Sequence, residues 1–95
     1  NDELLEHVRE MGEIFESRFS TLGEVRGLGL MRGVRLTDEI TRKLKKEQFL
    51  DQGLLVNIIS NGVIRFLLPL NVTVEDIDTI FYRFTATLEK VSSNV

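Results

Sequence analysis

Arg65 has the setting in this sequence that most needs a chemical explanation. It interrupts Val63, Ile64, Phe66, Leu67 and Leu68, the most hydrophobic run of the chain, and a guanidinium held there needs a partner. One reading places it on the wet face of a sheet, because side chains alternate along a strand and Ile64 and Phe66 would then point the other way. The other reading has it offer its planar fork to a carboxylate, which arginine grips through two parallel hydrogen bonds and lysine cannot. Pro69, just after the run, would fix the exit of the chain near that group.

Other groups that carry chemistry elsewhere find ordinary explanations here. His7 is the only histidine and stands among Glu6, Arg9 and Glu10. It reads as a solvated helix residue, and a single histidine without cysteine does not build a common zinc site. Glu75 and Asp76 fall in the first turn of a helix, where negative charge favours the helix dipole. The pair Gly27 and Gly29 around Leu28 lacks the third glycine and the following helix of a dinucleotide fingerprint. These glycines are better read as a bare surface for close backbone approach. Arg42, Lys43, Lys45 and Lys46 are interrupted by Leu44 and followed by Glu47, the pattern of a wet helix face. Phosphate binding would need several convergent cations.

The elements that position these residues follow from periodicity. Leu4, Val8, Met11, Phe15 and Phe19 recur at steps of four and three, which predicts an amphipathic helix over residues 2–20 capped by Asn1 or Asp2. From Glu24 to Leu36 the pattern is strand-like: Leu28, Leu30, Val34 and Leu36 share one parity, while Gly27, Gly29, Met31 and Gly33 share the other. A tight turn at Gly27-Leu28-Gly29 makes this a hairpin. Thr37 caps a second helix over 38–51, carried by Ile40 and Leu44 with Phe49 and Leu50 as further candidates, and Gly53 stops it. Its thin apolar stripe predicts the most exposed helix.

Leu54 to Ile59 and Val63 to Leu68 are two apolar, β-branched runs joined by Ser60-Asn61-Gly62, a strong hairpin signal. Thr73 opens the last helix with Asp76 three positions on, close to a capping box. Ile77, Ile80, Phe81, Phe84, Leu88 and Val91 form its stripe. The order α-β-β-α-β-β-α predicts an α+β domain with a mainly antiparallel sheet of three or four strands covered by helices.

Composition agrees with one small globular unit. The 95 residues are 42% hydrophobic and 28% charged with a net charge of −3, and no run of like charge suggests nucleic acid as a partner. With no cysteine, disulfides, thiolate catalysis and cysteine-held metals are excluded. No apolar run approaches the roughly 20 residues of a membrane span, and no signal-peptide pattern precedes the first helix. A cytoplasmic location is the resulting expectation. Because the chain starts Asn1-Asp2 and runs at once into a helix, it reads as a piece of a longer polypeptide.

Three stretches together resemble a known family. Val25-Arg26-Gly27-Leu28-Gly29-Leu30-Met31-Arg32-Gly33-Val34, Gly53-Leu54-Leu55-Val56-Asn57 and Val63-Ile64-Arg65-Phe66-Leu67-Leu68-Pro69-Leu70, followed by a Thr73-to-Asp78 helix start, are similar to the C-terminal part of class III aminotransferases. Among them the likeness is strongest to the acetylornithine type. The motifs stand in family order and cover most of the chain from Val25 to about Leu88. The family usually has Pro-Pro where Leu68-Pro69 stands here, and often an acidic residue where Arg35 stands.

The resemblance implies the small C-terminal domain of a fold-type I enzyme that uses pyridoxal 5'-phosphate, spanning residues 1–95. It implies a homodimeric parent that moves an amino group between N-acetylornithine and 2-oxoglutarate in arginine biosynthesis. Arg65 matches the arginine of the family's Ile-Arg-Phe-x-Pro-Pro-Leu motif, so the resemblance implies a substrate-carboxylate role for it. The cofactor lysine, its acidic partner and the phosphate cup belong to the family's large domain. Lys43, Lys45, Lys46 and Lys90 match no cofactor-lysine motif. The partners expected are therefore an amino-acid substrate and a large domain, with no cofactor, metal or catalytic residue in the chain alone. The rival expectation is a self-contained α+β module that binds a small amino acid or a protein, since fold alone does not choose between them.

Overall fold

The computed structural model describes residues 2–51, 53–54, 56–59 and 62–93. Asn1, Leu55 of the expected third strand and the Ser60-Asn61 part of the expected hairpin turn lie outside the described residues. The elements are α1 (Asp2–Phe19), β1 (Glu24–Leu28), β2 (Met31–Arg35), α2 (Asp38–Lys43), α3 (Lys46–Leu50), β3 (Val56–Ile59), β4 (Val63–Leu67) and α4 (Val74–Ser93). The four strands form one sheet in the order β1-β2-β4-β3, and all three pairings are antiparallel. The α+β prediction holds, with the sheet at four strands.

The sheet buries one face. Val34, Ile64, Phe66 and Val56 point into the core, and the pairings Val34↔Ile64 and Val56↔Phe66 place them side by side. All six phenylalanines of the chain join in one cluster over that face. Phe15 and Phe19 of α1 stack with centroids 4.0 Å apart, and Phe66 of β4 meets both at 5.3 and 5.2 Å. Phe84 of α4 meets Phe66 at 5.2 Å, and Phe49 stacks on Phe84 at 5.3 Å. Phe81 closes edge-on against Phe19 at 5.0 Å. Each aromatic pair adds about 0.5–1.5 kcal/mol beyond the burial of its area, so this cluster is what fixes the helices to the sheet.

The second helix differs from expectation. It is two short helices, with Leu44 and Lys45 extended between them. A continuous helix would carry Phe49 about 140° away from Leu44, since five residues at 3.6 per turn overshoot one full turn. Breaking the helix lets Leu44 and Phe49 both reach the core. Gln48 Oε1 accepts from Lys45 N at 2.7 Å and so supplies the cap of α3. The exposure expected of residues 38–51 holds for α2, which buries no residue, but not for α3, which buries Phe49; Thr37 Oγ1 accepts from Ile40 N at the start of α2, as expected.

Other ends follow local chemistry. Gly53 after α3 has φ +77°, the left-handed conformation that ends many helices. Thr73 and Asp76 form the expected reciprocal cap: Asp76 N donates to Thr73 Oγ1 at 3.1 Å, and Thr73 N donates to Asp76 Oδ2 at 3.0 Å.

Two sequence expectations are corrected. Leu28 does not share a side with Val34 and Leu36, because the turn expected at Gly27-Leu28-Gly29 lies instead at Gly29-Leu30, with Gly27 and Leu28 still in β1; Leu28 is 87% exposed while Leu30, Val34 and Leu36 are buried. His7 is not simply solvated: it is half-buried, and its Nε2 lies 2.9 Å from the carbonyl oxygen of Val72. That bond ties α1 to the loop before α4.

Candidate functional site

Strand alternation puts Arg65 on the face of the sheet that the helices leave open. Ile64 and Phe66 are buried on the helix side, so Val63, Arg65 and Leu67 must point the other way, and Arg65 is exposed. Both readings of Arg65 require that placement, and the geometry around it adds further content.

Three rows of directly paired residues cross the open face. Arg26, Gly33, Arg65 and Asn57 form the middle row. Leu28, Met31 and Leu67 form the row on one side, and Glu24, Arg35, Val63 and Ile59 the row on the other. The first of these flanking rows is apolar and exposed: Leu28, Met31 and Leu67 are 87%, 54% and 72% accessible. Contiguous exposed apolar side chains of this size mark a surface made to be covered.

Charge on the face is mainly positive. The Arg26 guanidinium is engaged by Glu24, whereas neither Arg35 nor Arg65 has an ion-pair or side-chain hydrogen-bond partner among the described residues. Beside Arg65 stands Gly33, whose missing side chain leaves the guanidinium unobstructed on the β2 side. A Cβ at Gly33 would come 2.9 Å from Val63 Cγ1. An uncommitted guanidinium next to a bare backbone has the chemistry to receive a small carboxylate.

The glycine-rich hairpin has the structural role that its sequence suggests. Gly27 has φ +107°, and a Cβ there would collide with the carbonyl of Met31. No helix follows it, so it frames no phosphate loop.

Sequence reasoning missed Arg32. Its side chain is only 11% exposed, its Nε donates to Gly29 O at 2.9 Å, and its Nη1 lies 3.6 Å from Glu16 Oε2. It joins the hairpin to α1 and so holds β2, with Gly33, in place. The available signal was Gly12, a glycine inside a helix beside buried Met11 and Phe15, a position that is costly unless packing demands it. A side chain at Gly12 would strike Arg32.

Arg42, Lys43, Lys45 and Lys46 are exposed on α2, α3 and the break between them, and Lys90 is exposed on α4. The described residues of the open face include no lysine. These residues therefore do not fit a pyridoxal-phosphate site, and no chemical step through that cofactor is assigned to them. Among the described residues no group of three or more His, Cys, Asp or Glu is placed to hold a metal, and no helix is long and apolar enough to cross a membrane.

The chain matches the model of the family "Aminotransferase class-III" over residues 1–88. It is 42% identical over 79 residues to acetylornithine aminotransferase of Aquifex aeolicus, covering 81% of this chain and 20% of that protein. It is 35% identical over 88 residues to ornithine aminotransferase of Staphylococcus carnosus, covering 87% of this chain and 22% of that one. In fold it is similar to the omega transaminase of Pseudomonas jessenii in complex with PMP, with a TM-score of 0.80 at 22% identity, covering 99% of this chain and 24% of that chain. The chain thus spans about a fifth of the length of the curated relatives it matches.

Proposed function

We propose that this chain, which belongs to the class III aminotransferase family, serves as the C-terminal small domain of a pyridoxal-phosphate-dependent aminotransferase and that Arg65 grips a substrate carboxylate there. The observation that carries the reading is the unpartnered Arg65 guanidinium on the open sheet face, opposite Gly33 and beside the exposed row Leu28, Met31 and Leu67. Ligand sites favour the seam between domains. On this reading the apolar row meets the rest of the polypeptide and Arg65 faces the cleft that results. The reaction is transfer of an amino group between N-acetylornithine and 2-oxoglutarate, in arginine biosynthesis, by a cytoplasmic homodimer. Support for that substrate comes from the relatives: those named acetylornithine aminotransferase reach 42% identity, against 35% for the ornithine enzyme.

The contribution of this chain is orientation. A guanidinium fork fixes both the position and the plane of a carboxylate, and the apolar row excludes water that would weaken the pairing. Misplacing a substrate by about 1 Å costs on the order of 100-fold in rate. Pyridoxal phosphate, on this reading, is held by parts of the polypeptide outside these 95 residues.

The test compares the complete polypeptide with its Arg65→Ala variant in transamination of N-acetylornithine with 2-oxoglutarate. With cofactor loading unchanged, kcat/KM is expected to fall roughly 100-fold or more. An unimpaired variant, or a parent without the activity, overturns the reading.

A further inference from the structure

A guanidinium has five N–H donors, and a bidentate grip on one carboxylate uses two of them. In a site closed to water, the donors left over need acceptors, since an unpaired polar group there is costly. Few neighbours of Arg65 on the open face supply one. Along its own strand stand Val63 and Leu67; directly across β2 is Gly33, with Met31 and Arg35 on the diagonals. Across β3 the diagonal neighbour described is Ile59, and the residue directly opposite is Asn57. Of these side chains only Asn57 carries an oxygen acceptor; the Met31 thioether accepts weakly at best. Directly opposed residues have Cβ atoms about 4.5–5.5 Å apart, so the short amide of Asn57 stands beside the Arg65 side chain and not in front of its fork.

We infer that Asn57 is a positioning residue for the carboxylate site: the two side chains are not bonded to each other on the open face, and when a carboxylate occupies the site Asn57 Oδ1 accepts from the Arg65 guanidinium and aims the remaining N–H pair at it. The inference rests on the proposed role of Arg65 and extends it to a second residue. Gly33 leaves the other flank bare, so nothing on β2 substitutes for this contact. Asn57 is exposed on the same face, so its role is separable from core packing.

The experiment uses the complete polypeptide with Asn57→Leu, Asn57→Gln, Arg65→Ala and the double variant Asn57→Leu/Arg65→Ala. The readouts are competitive inhibition by glutarate, a dicarboxylate with no amino or keto group to react, and the separate KM and kcat for the carboxylate substrate. Thermal melting and cofactor absorbance check fold and loading. Asn57→Leu is expected to raise the glutarate inhibition constant and KM roughly tenfold, with kcat changed less. Asn57→Gln, which keeps the acceptor, recovers most of that loss. In the Arg65→Ala background, Asn57→Leu has no further effect, because it acts through the guanidinium. If Arg65→Ala loses glutarate binding while Asn57→Leu alone does not, or if the Asn57 effect persists without Arg65, the inference falls and the role of Arg65 stands. If Arg65→Ala binds glutarate normally, the role of Arg65 falls first and the inference falls with it.

Discussion

Gly33 and Arg65 stand directly opposite each other on β2 and β4, and the glycine is what leaves the guanidinium a clear flank. A Cβ placed on Gly33 would press within 2.9 Å of Val63 Cγ1, and a β-branched side chain has little freedom to move away. Strand propensity favours valine over glycine at such a position, so two effects compete. The steric one wins: Gly33→Val is expected to destabilise the chain by about 1–2 kcal/mol, read from urea unfolding. A gain in stability would show that Val63 yields freely and that Gly33 is not held by packing.

The aromatic cluster gives a second prediction. Phe49 is fully buried and stacks on Phe84, and α3 offers no other buried side chain. Phe49→Ala is expected to cost about 3–5 kcal/mol, a large share of the 5–15 kcal/mol typical of a domain. Near-ultraviolet circular dichroism and urea midpoints check this. A loss under about 1 kcal/mol would mean that α3 contributes little to the core.

Two hairpin glycines should respond differently to substitution. Gly27 has φ +107° and no room for a side chain, whereas Gly29 has φ +59°, with Val8 Cγ1 at 3.2 Å as its nearest neighbour. Asparagine tolerates the left-handed region that Gly29 occupies. Gly27→Ala is therefore expected to cost roughly 2 kcal/mol or more and Gly29→Asn under about 1 kcal/mol. Paired thermal melts decide it, and equal effects would contradict the steric account.

The exposed row predicts behaviour in solution. Leu28 and Leu67 flank Met31 across three strands, and the 95-residue chain alone leaves them uncovered. Replacing both with threonine, which suits a strand, is expected to reduce self-association in sedimentation velocity while changing stability by no more than about 0.5 kcal/mol per site. Unchanged association would place the sticky surface elsewhere.

What the sequence determined by itself was the order of helices and strands, apart from the division of the second helix, and the side of the sheet that Arg65 takes. Period 3.6 in Leu4 to Phe19 and Ile77 to Val91, and period 2 around Ile64 and Phe66, are local properties, and local patterns survive into the fold because each element buries a single face. The caps at Thr37 and Thr73 were legible for the same reason, since a cap is made by residues three apart. The break at Leu44 was not legible, because it is forced by where Phe84 lies when Phe49 seeks burial. Nor was the bond from His7 to Val72, two residues 65 positions apart. Strand order decided the site in the same way: only when β4 inserts between β2 and β3 does Arg65 acquire bare Gly33 on one side and Asn57 on the other. Cross-strand neighbours are set by register and topology, which no spacing along the chain encodes.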